Sequence, residues 1–197
     1  IDTGILDIAE SKIQEAIPKF EVLSNSLVGI NKHFIGHLQS NKAKKAVLNF
    51  DLIQSLDSID LAKDINRHAK DINKVQKCLI ELKVSTEETK YGASKEKVNE
   101  IYDYCVANCP NVLICGIMTI APYFDDKELV RSYFKLAYNV FENIKEIKNG
   151  NIPDYITVSI GNEFNPQKDK LIEQIFIKLS KIRYMMSIQY GKERSFK

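Results

Sequence analysis

Short apolar, β-branched runs alternate along the chain with longer stretches whose apolar residues recur at helical spacing. The runs Ile5–Ile8, His33–Ile35, Leu52–Gln54, Cys78–Val84, Val112–Ile117 and Tyr155–Ser159 predict strands. Between them, Glu10–Leu23, Asp60–Val75, Lys95–Ala107, Asp126–Ile147 and Lys168–Leu179 predict helices. In the fourth of these, Leu129, Tyr133, Leu136, Val140, Phe141 and Ile144 recur at three or four, an amphipathic stripe. Asp57-Ser58 and Ser94 are placed to cap helix starts, and Gly150 to follow a helix end. Pro110 and Pro153 each separate a helix from the next strand. Such alternation builds parallel βαβ units in one α/β domain spanning residues 1–197. A barrel and an open sheet both satisfy it, and both put function at the C-terminal ends of the strands. Neither G-x-G-x-x-G nor G-x-x-x-x-G-K-[ST] follows any run, which weakens a dinucleotide or P-loop reading.

Composition narrows the class. The 28 Lys and Arg nearly balance 26 Asp and Glu, for a net charge of +2, which argues against a nucleic-acid binder. No apolar run reaches the ~18–20 residues of a membrane span, and no secretory signal opens the chain. A soluble, cytoplasmic domain is expected. Cys78, Cys105, Cys109 and Cys115 lie in or beside apolar segments without a second metal-ligand pair, so buried, reduced thiols are expected. At 197 residues the chain is shorter than the ~250 of a typical β/α barrel.

Chemistry should sit where strands hand over to helices. In Lys32-His33-Phe34-Ile35-Gly36-His37-Leu38-Gln39-Ser40-Asn41-Lys42, His33 reads either as a core histidine or as an imidazole facing a ligand. Taken alone, Glu81 to Gly92 is a strand running into a solvated, charged turn, and Gly116 to Pro122 is core followed by a turn.

Together these segments resemble the pyridoxal-phosphate (PLP) homeostasis family, also called YggS or PROSC. The family's H-F-I-G-x-L-Q-[ST]-N-K stands as His33 to Lys42, and D-L-I-x-S-[LV]-D-S as Asp51 to Ser58. The loop E-E-[ST]-K-[FY]-G is Glu87 to Gly92, and G-[LI]-M-[TA]-I-[AP] is Gly116 to Ala121. The resemblance covers residues 4 to about 156. It implies a TIM-type β/α barrel similar to the first domain of alanine racemase, with PLP at the mouth of the strands. It also implies a carrier or regulator of the cofactor without catalytic turnover, and makes His33 a lining residue. The cofactor-binding residues it implies are Ser11, His33, Met118, Ser159, Gly161 and Arg183.

The chain departs from the family in three places. The Schiff-base Lys of the first strand, within A-[VT]-[ST]-K, has no counterpart here, so an incomplete barrel with impaired covalent binding is expected. The family's F-G-E-N-x-x-Q-E becomes Ile8 to Glu15, with Ser11 in place of Asn, which loses the amide's second group. Over 157–197 the pattern is divergent. S-M-G-M-S-x-D-F is only echoed in Thr157 to Phe164, and the last strand survives at most as Ser180 to Tyr184. Met185 replaces the glycine whose bare backbone admits a phosphate, and matches flanking an unmatched stretch suggest coding-frame changes between about 164 and 190. Lys83 reads as a solvent-reaching lysine ahead of a substitute Schiff-base residue. The alternatives are a PLP-dependent racemase-like enzyme, which would need a second domain, and a non-binding remnant acting in protein interaction. An uncovered strand edge would promote association.

Overall fold

The computed structural model describes residues 6–84, 91–121, 127–147, 155–160 and 183–185, the last two segments as backbone. The strands are β1 (Asp7–Glu10), β2 (Asn31–Phe34), β3 (Leu52–Leu56), β4 (Gln76–Leu82), β5 (Val112–Ala121), β6 (Tyr155–Ile160) and β7 (Arg183–Met185). Among the described residues, helices α1 (Ile13–Val22), α2 (Ala43–Asn49), α3 (Ile59–Asp71), α4 (Lys95–Asn108) and α5 (Lys127–Ile147) lie between them. All seven strands form one sheet in chain order, and every pairing is parallel.

Strand order resolves the choice the alternation left open. A doubly wound sheet reverses its order and takes helices on both faces. Right-handed crossovers between successive neighbours instead put every helix on one face, and the sheet curls around its other face. The core divides accordingly. Ile53, Cys78, Ile80, Leu82, Ile114 and Ile117 pack with helix residues such as Ile13, Val47, Ile65, Ile101 and Phe141. The second cluster, Leu52, Leu79, Cys115 and Met118 with Ile120, comes from strands alone. That second face is the lumen of a β/α barrel.

Two irregularities set which residues enter the lumen. The β3–β4 register shifts between Ile53 and Leu56, and the β4–β5 register between Cys78 and Leu79. The second shift places an extra residue in β5, so Cys115 and Met118 both face inward while Ile114 and Ile117 face the helices.

Local signals locate the elements well. The Ser58 hydroxyl accepts from the Leu61 amide and caps α3, and the Ser94 hydroxyl accepts from the Lys97 amide and caps α4. Most boundaries shift by a few residues from the sequence reading, and three differences stand out. The first strand runs two residues later than predicted, and Glu10 closes it rather than opening α1. Helix α2 follows the polar turn after His37, where a helix start is expected, but its seven residues are too few to display a period and no range is predicted for it. The last strand forms as β7, shifted towards Met185. Gly150, Pro153 and the predicted helix Lys168–Leu179 lie outside the described residues. All four cysteines are buried free thiols, as expected, and burial pushes the Cys105 thiol up to about 12. Among the described residues no helix is long and apolar enough to cross a membrane.

Candidate functional site at the barrel mouth

The C-terminal strand ends gather residues from β1 to β5. Ser11 follows β1, half-buried, and the turn after β2 presses against it at Gly36. A Cβ at Gly36 would collide with the Ser11 carbonyl oxygen and lie 2.8 Å from its carbon, so only glycine lets the two strand ends approach this closely.

His33 lies one level deeper, 4% exposed in the β2 wall. Its Nε2 is 3.3 Å from the Asp7 carboxylate, and its Nδ1 is 3.0 Å from Gln54 Nε2. The Asn31 side-chain amide donates to the same Asp7 oxygen. Asp7 requires a proton on Nε2, so in the neutral ring Nδ1 accepts from the Gln54 amide. Burial holds His33 below the usual histidine range, with Asp7 and Asp51 pulling the other way. This orientation leaves Gln54 Oε1 buried without a hydrogen-bond partner, and the neighbouring Ser55 Oγ is in the same state.

The upper level contains the most perturbed acid among the described residues. Glu81 is 6% exposed near the end of β4, on the same strand face as lumen-lining Leu79, and is level with Met118 on β5. Burial, reinforced by the nearby Asp57 carboxylate, raises its carboxyl from 4.5 to about 7. Asp57 follows β3, and its carboxylate lies 3.7 Å from His37 Nδ1. The His37 ring stacks on Tyr91, with centroids 3.6 Å apart and planes 11° from parallel. Tyr91 precedes Gly92 and Ala93, which return to β4: Ala93 N donates to Glu81 O, and Lys83 N donates to Ala93 O. Gly92 has φ +112°, and a Cβ there would sit 2.8 Å from Lys83 N. Lys83 is half-buried, two residues beyond Glu81.

The predicted site residues therefore scatter. Ser11 and His33 share the β1–β2 sector. Met118 faces the lumen from β5, beside Glu81. Ser159 lies in β6 level with Ile120, near the mouth, while Arg183 opens β7 level with Tyr155, at the other end of β6. The structure does not bring Arg183 to the height of Ser159. Gly161 lies outside the described residues. Sequence reasoning missed Gln54, Asp57, Glu81 and Tyr91. A glutamate inside the apolar run Cys78–Val84 was the available signal.

The family model of the alanine racemase N-terminal domain matches residues 1–162. The pyridoxal phosphate homeostasis protein of Aquifex aeolicus is 35% identical over 161 residues, covering 82% of this chain and 69% of that protein. This chain belongs to the pyridoxal phosphate homeostasis family. The Synechocystis member is 44% identical over 119 residues, 60% of this chain and 54% of its own length. The matched part thus spans from about half to just over two-thirds of these relatives. PipY of Synechococcus elongatus, solved without PLP, superposes with a TM-score of 0.69 at 29% identity, covering 76% of this chain and 68% of its own. Its PLP-bound structure gives 0.74 at 23% identity, covering 91% and 78%, a likeness of fold. Both agree with the barrel derived above.

Proposed function

We propose that this chain binds PLP at the mouth of its barrel and works as a cytoplasmic homeostasis protein, holding and releasing the cofactor without turning over a substrate. The observation that carries the reading is the lumen itself. Leu79, Cys115, Met118 and Ile120 form an apolar wall suited to a flat pyridine ring. Gln54, whose amide meets His33 across β2 and β3, keeps a buried side-chain oxygen with unused capacity. The residues present fit the ring of the cofactor. Ser11 and His33 would line it from β1 and β2 and Met118 from β5, and Ser159 and Gly161 are proposed for the phosphate side; Arg183, level with Tyr155 at the other end of β6, is set aside from it.

When bound, PLP supplies an aldehyde that condenses reversibly with amines. The chain's own residues exclude water from one face of the ring and fix the His33 ring through Asp7 and Gln54. Within the described residues the hold is assigned to packing and hydrogen bonds, with no lysine assigned to a covalent bond. Family members carry the name of homeostasis proteins, which supports a carrier over a racemase.

Titration of the purified chain with PLP, followed by borohydride reduction and peptide mass spectrometry, tests this. Saturable binding with no labelled lysine is expected. Absence of saturable binding overturns the proposal, and a stoichiometric label on Lys83 overturns its non-covalent part.

A further inference from the structure

His33 and Gln54 meet inside the barrel wall with one hydrogen-bonding group left over. Phe34 and Ile53 belong to the helix-side core, so His33 and Gln54, next to them on β2 and β3, are on the opposite, lumen face. Both are buried, and Gln54 Nε2 lies 3.0 Å from His33 Nδ1. On the other side of the ring, Nε2 lies 3.3 Å from the Asp7 carboxylate, whose oxygen also accepts from the Asn31 amide. The neutral ring directs its single proton to Asp7, and Nδ1 accepts from the Gln54 amide. Gln54 Oε1 then has no partner.

That leftover oxygen is the acceptor a protonated ring requires. An imidazolium carries a proton on each nitrogen. Asp7 already accepts from Nε2, so the second proton, on Nδ1, would meet Gln54 Nε2 donor against donor. A half-turn of the terminal amide, about a torsion that is broad and roughly two-fold, puts Oε1 in the place of Nε2 and removes the conflict. In each state one end of the amide pairs with His33 and the other has no partner. The turn therefore exchanges one unpaired buried group for another, and little energy opposes it. We infer that His33 and Gln54 form a proton-operated switch in the lumen wall: uptake of a proton at His33 Nδ1 turns the Gln54 amide over, so that Oε1 accepts from the ring. The end turned away from the ring changes from acceptor to donor, and that stretch of wall reverses its hydrogen-bonding character. The inference goes beyond PLP binding and does not depend on it.

The charged groups that act on His33 are Asp7 on β1, Asp51 just before β3 and Lys77 on β4. Burial, the largest influence, disfavours the imidazolium and holds His33 below the usual histidine range. Asp7 and Asp51 favour the charge, and Lys77 opposes it. The ring is therefore neutral at pH 7.5 and takes up its proton only in acid.

The test is nitrogen-15 NMR of the full chain from pH 7.5 to pH 4.5. At pH 7.5 the His33 proton is expected on Nε2. As the ring titrates, the Gln54 side-chain amide resonances should move with the same midpoint. In Gln54→Leu the proton affinity of His33 should fall about fivefold, the excess of a charge-assisted hydrogen bond over the neutral one lost with it. Gln54→Glu, which offers an oxygen in either orientation and a charge besides, should raise that affinity above wild type. Circular dichroism verifies that both variants are folded, and the wild-type spectra decide alone where a variant does not fold. Gln54 resonances that stay still while His33 titrates overturn the inference. A neutral ring protonated on Nδ1 overturns it, as does a ring still uncharged at pH 4.5. An unchanged His33 midpoint in folded Gln54→Leu overturns it too.

Discussion

Replacing Glu81 by glutamine should stabilise this protein, and by an amount that depends on pH. In the folded chain the Glu81 carboxyl is raised from 4.5 to about 7 by burial and by Asp57. The folded state therefore binds the proton more tightly than the unfolded state does. Below pH 4.5 both states hold it, and the folded chain has no charge to bury. As pH rises from 4.5 to about 7 the unfolded carboxyl ionises while the folded one resists, so stability falls by about 1.4 kcal/mol per pH unit. Across that window the loss amounts to about 3 kcal/mol, a sizeable fraction of a typical domain's stability. Above pH 7 the penalty is constant. Glutamine removes it while keeping the volume and offering Asp57 a donor. Urea denaturation of wild type and Glu81→Gln from pH 4.5 to 8 measures the difference, and titrations shared by both chains cancel. The two should be nearly equal in stability at pH 4.5, with the variant ahead by about 3 kcal/mol at pH 8. Curves that stay parallel across the range would refute the reasoning, since the carboxyl would then titrate alike in both states.

Two further substitutions probe the frame that holds the mouth. Gly36→Ala drives a methyl group into the Ser11 backbone and should cost about 3 kcal/mol or more by thermal unfolding, since the obstacle is main chain that cannot rotate away. Unchanged stability would mean the β1 and β2 ends slide apart freely. Lys74→Met removes an ammonium that donates to Val47 O and Phe50 O, each at 2.7 Å, where α2 ends. A loss of about 1–3 kcal/mol is expected in the urea midpoint, and a loss under about 0.5 kcal/mol would show water replacing the amine.

Much of the architecture could be read from periodicity, because each strand and most helices announce themselves locally. Ser58 and Ser94 cap the helices they were expected to start, and the stripe through Val140, Phe141 and Ile144 is buried. The site was harder to read. Whether an alternate strand residue faces helices or lumen depends on which face of the sheet curls inward, and no single strand encodes that. Glu81 accordingly passed as one more residue of a strand running into a solvated turn, with nothing to mark it as a buried acid of the lumen. The shifts in β3 and β5 break the period of two, so counting along the sequence misplaces Cys115 and Met118. His33 was ambiguous for a different reason: its burial follows from Asp7 and Gln54, residues on two other strands.

The neighbour-to-neighbour sheet order also bears on how the chain reaches its native state. Each strand pairs with the next one in sequence, through a crossover of modest length: His33 finds Leu52, and Gly116 finds Tyr155. No described pairing joins β1 to β7, so none of these contacts requires the distant ends of the chain to meet. Loop-closure entropy is therefore lost in small instalments, and relative contact order stays low for a parallel sheet. Each βαβ unit can dock on the one before it as it leaves the ribosome, and the lumen with its buried acid closes last.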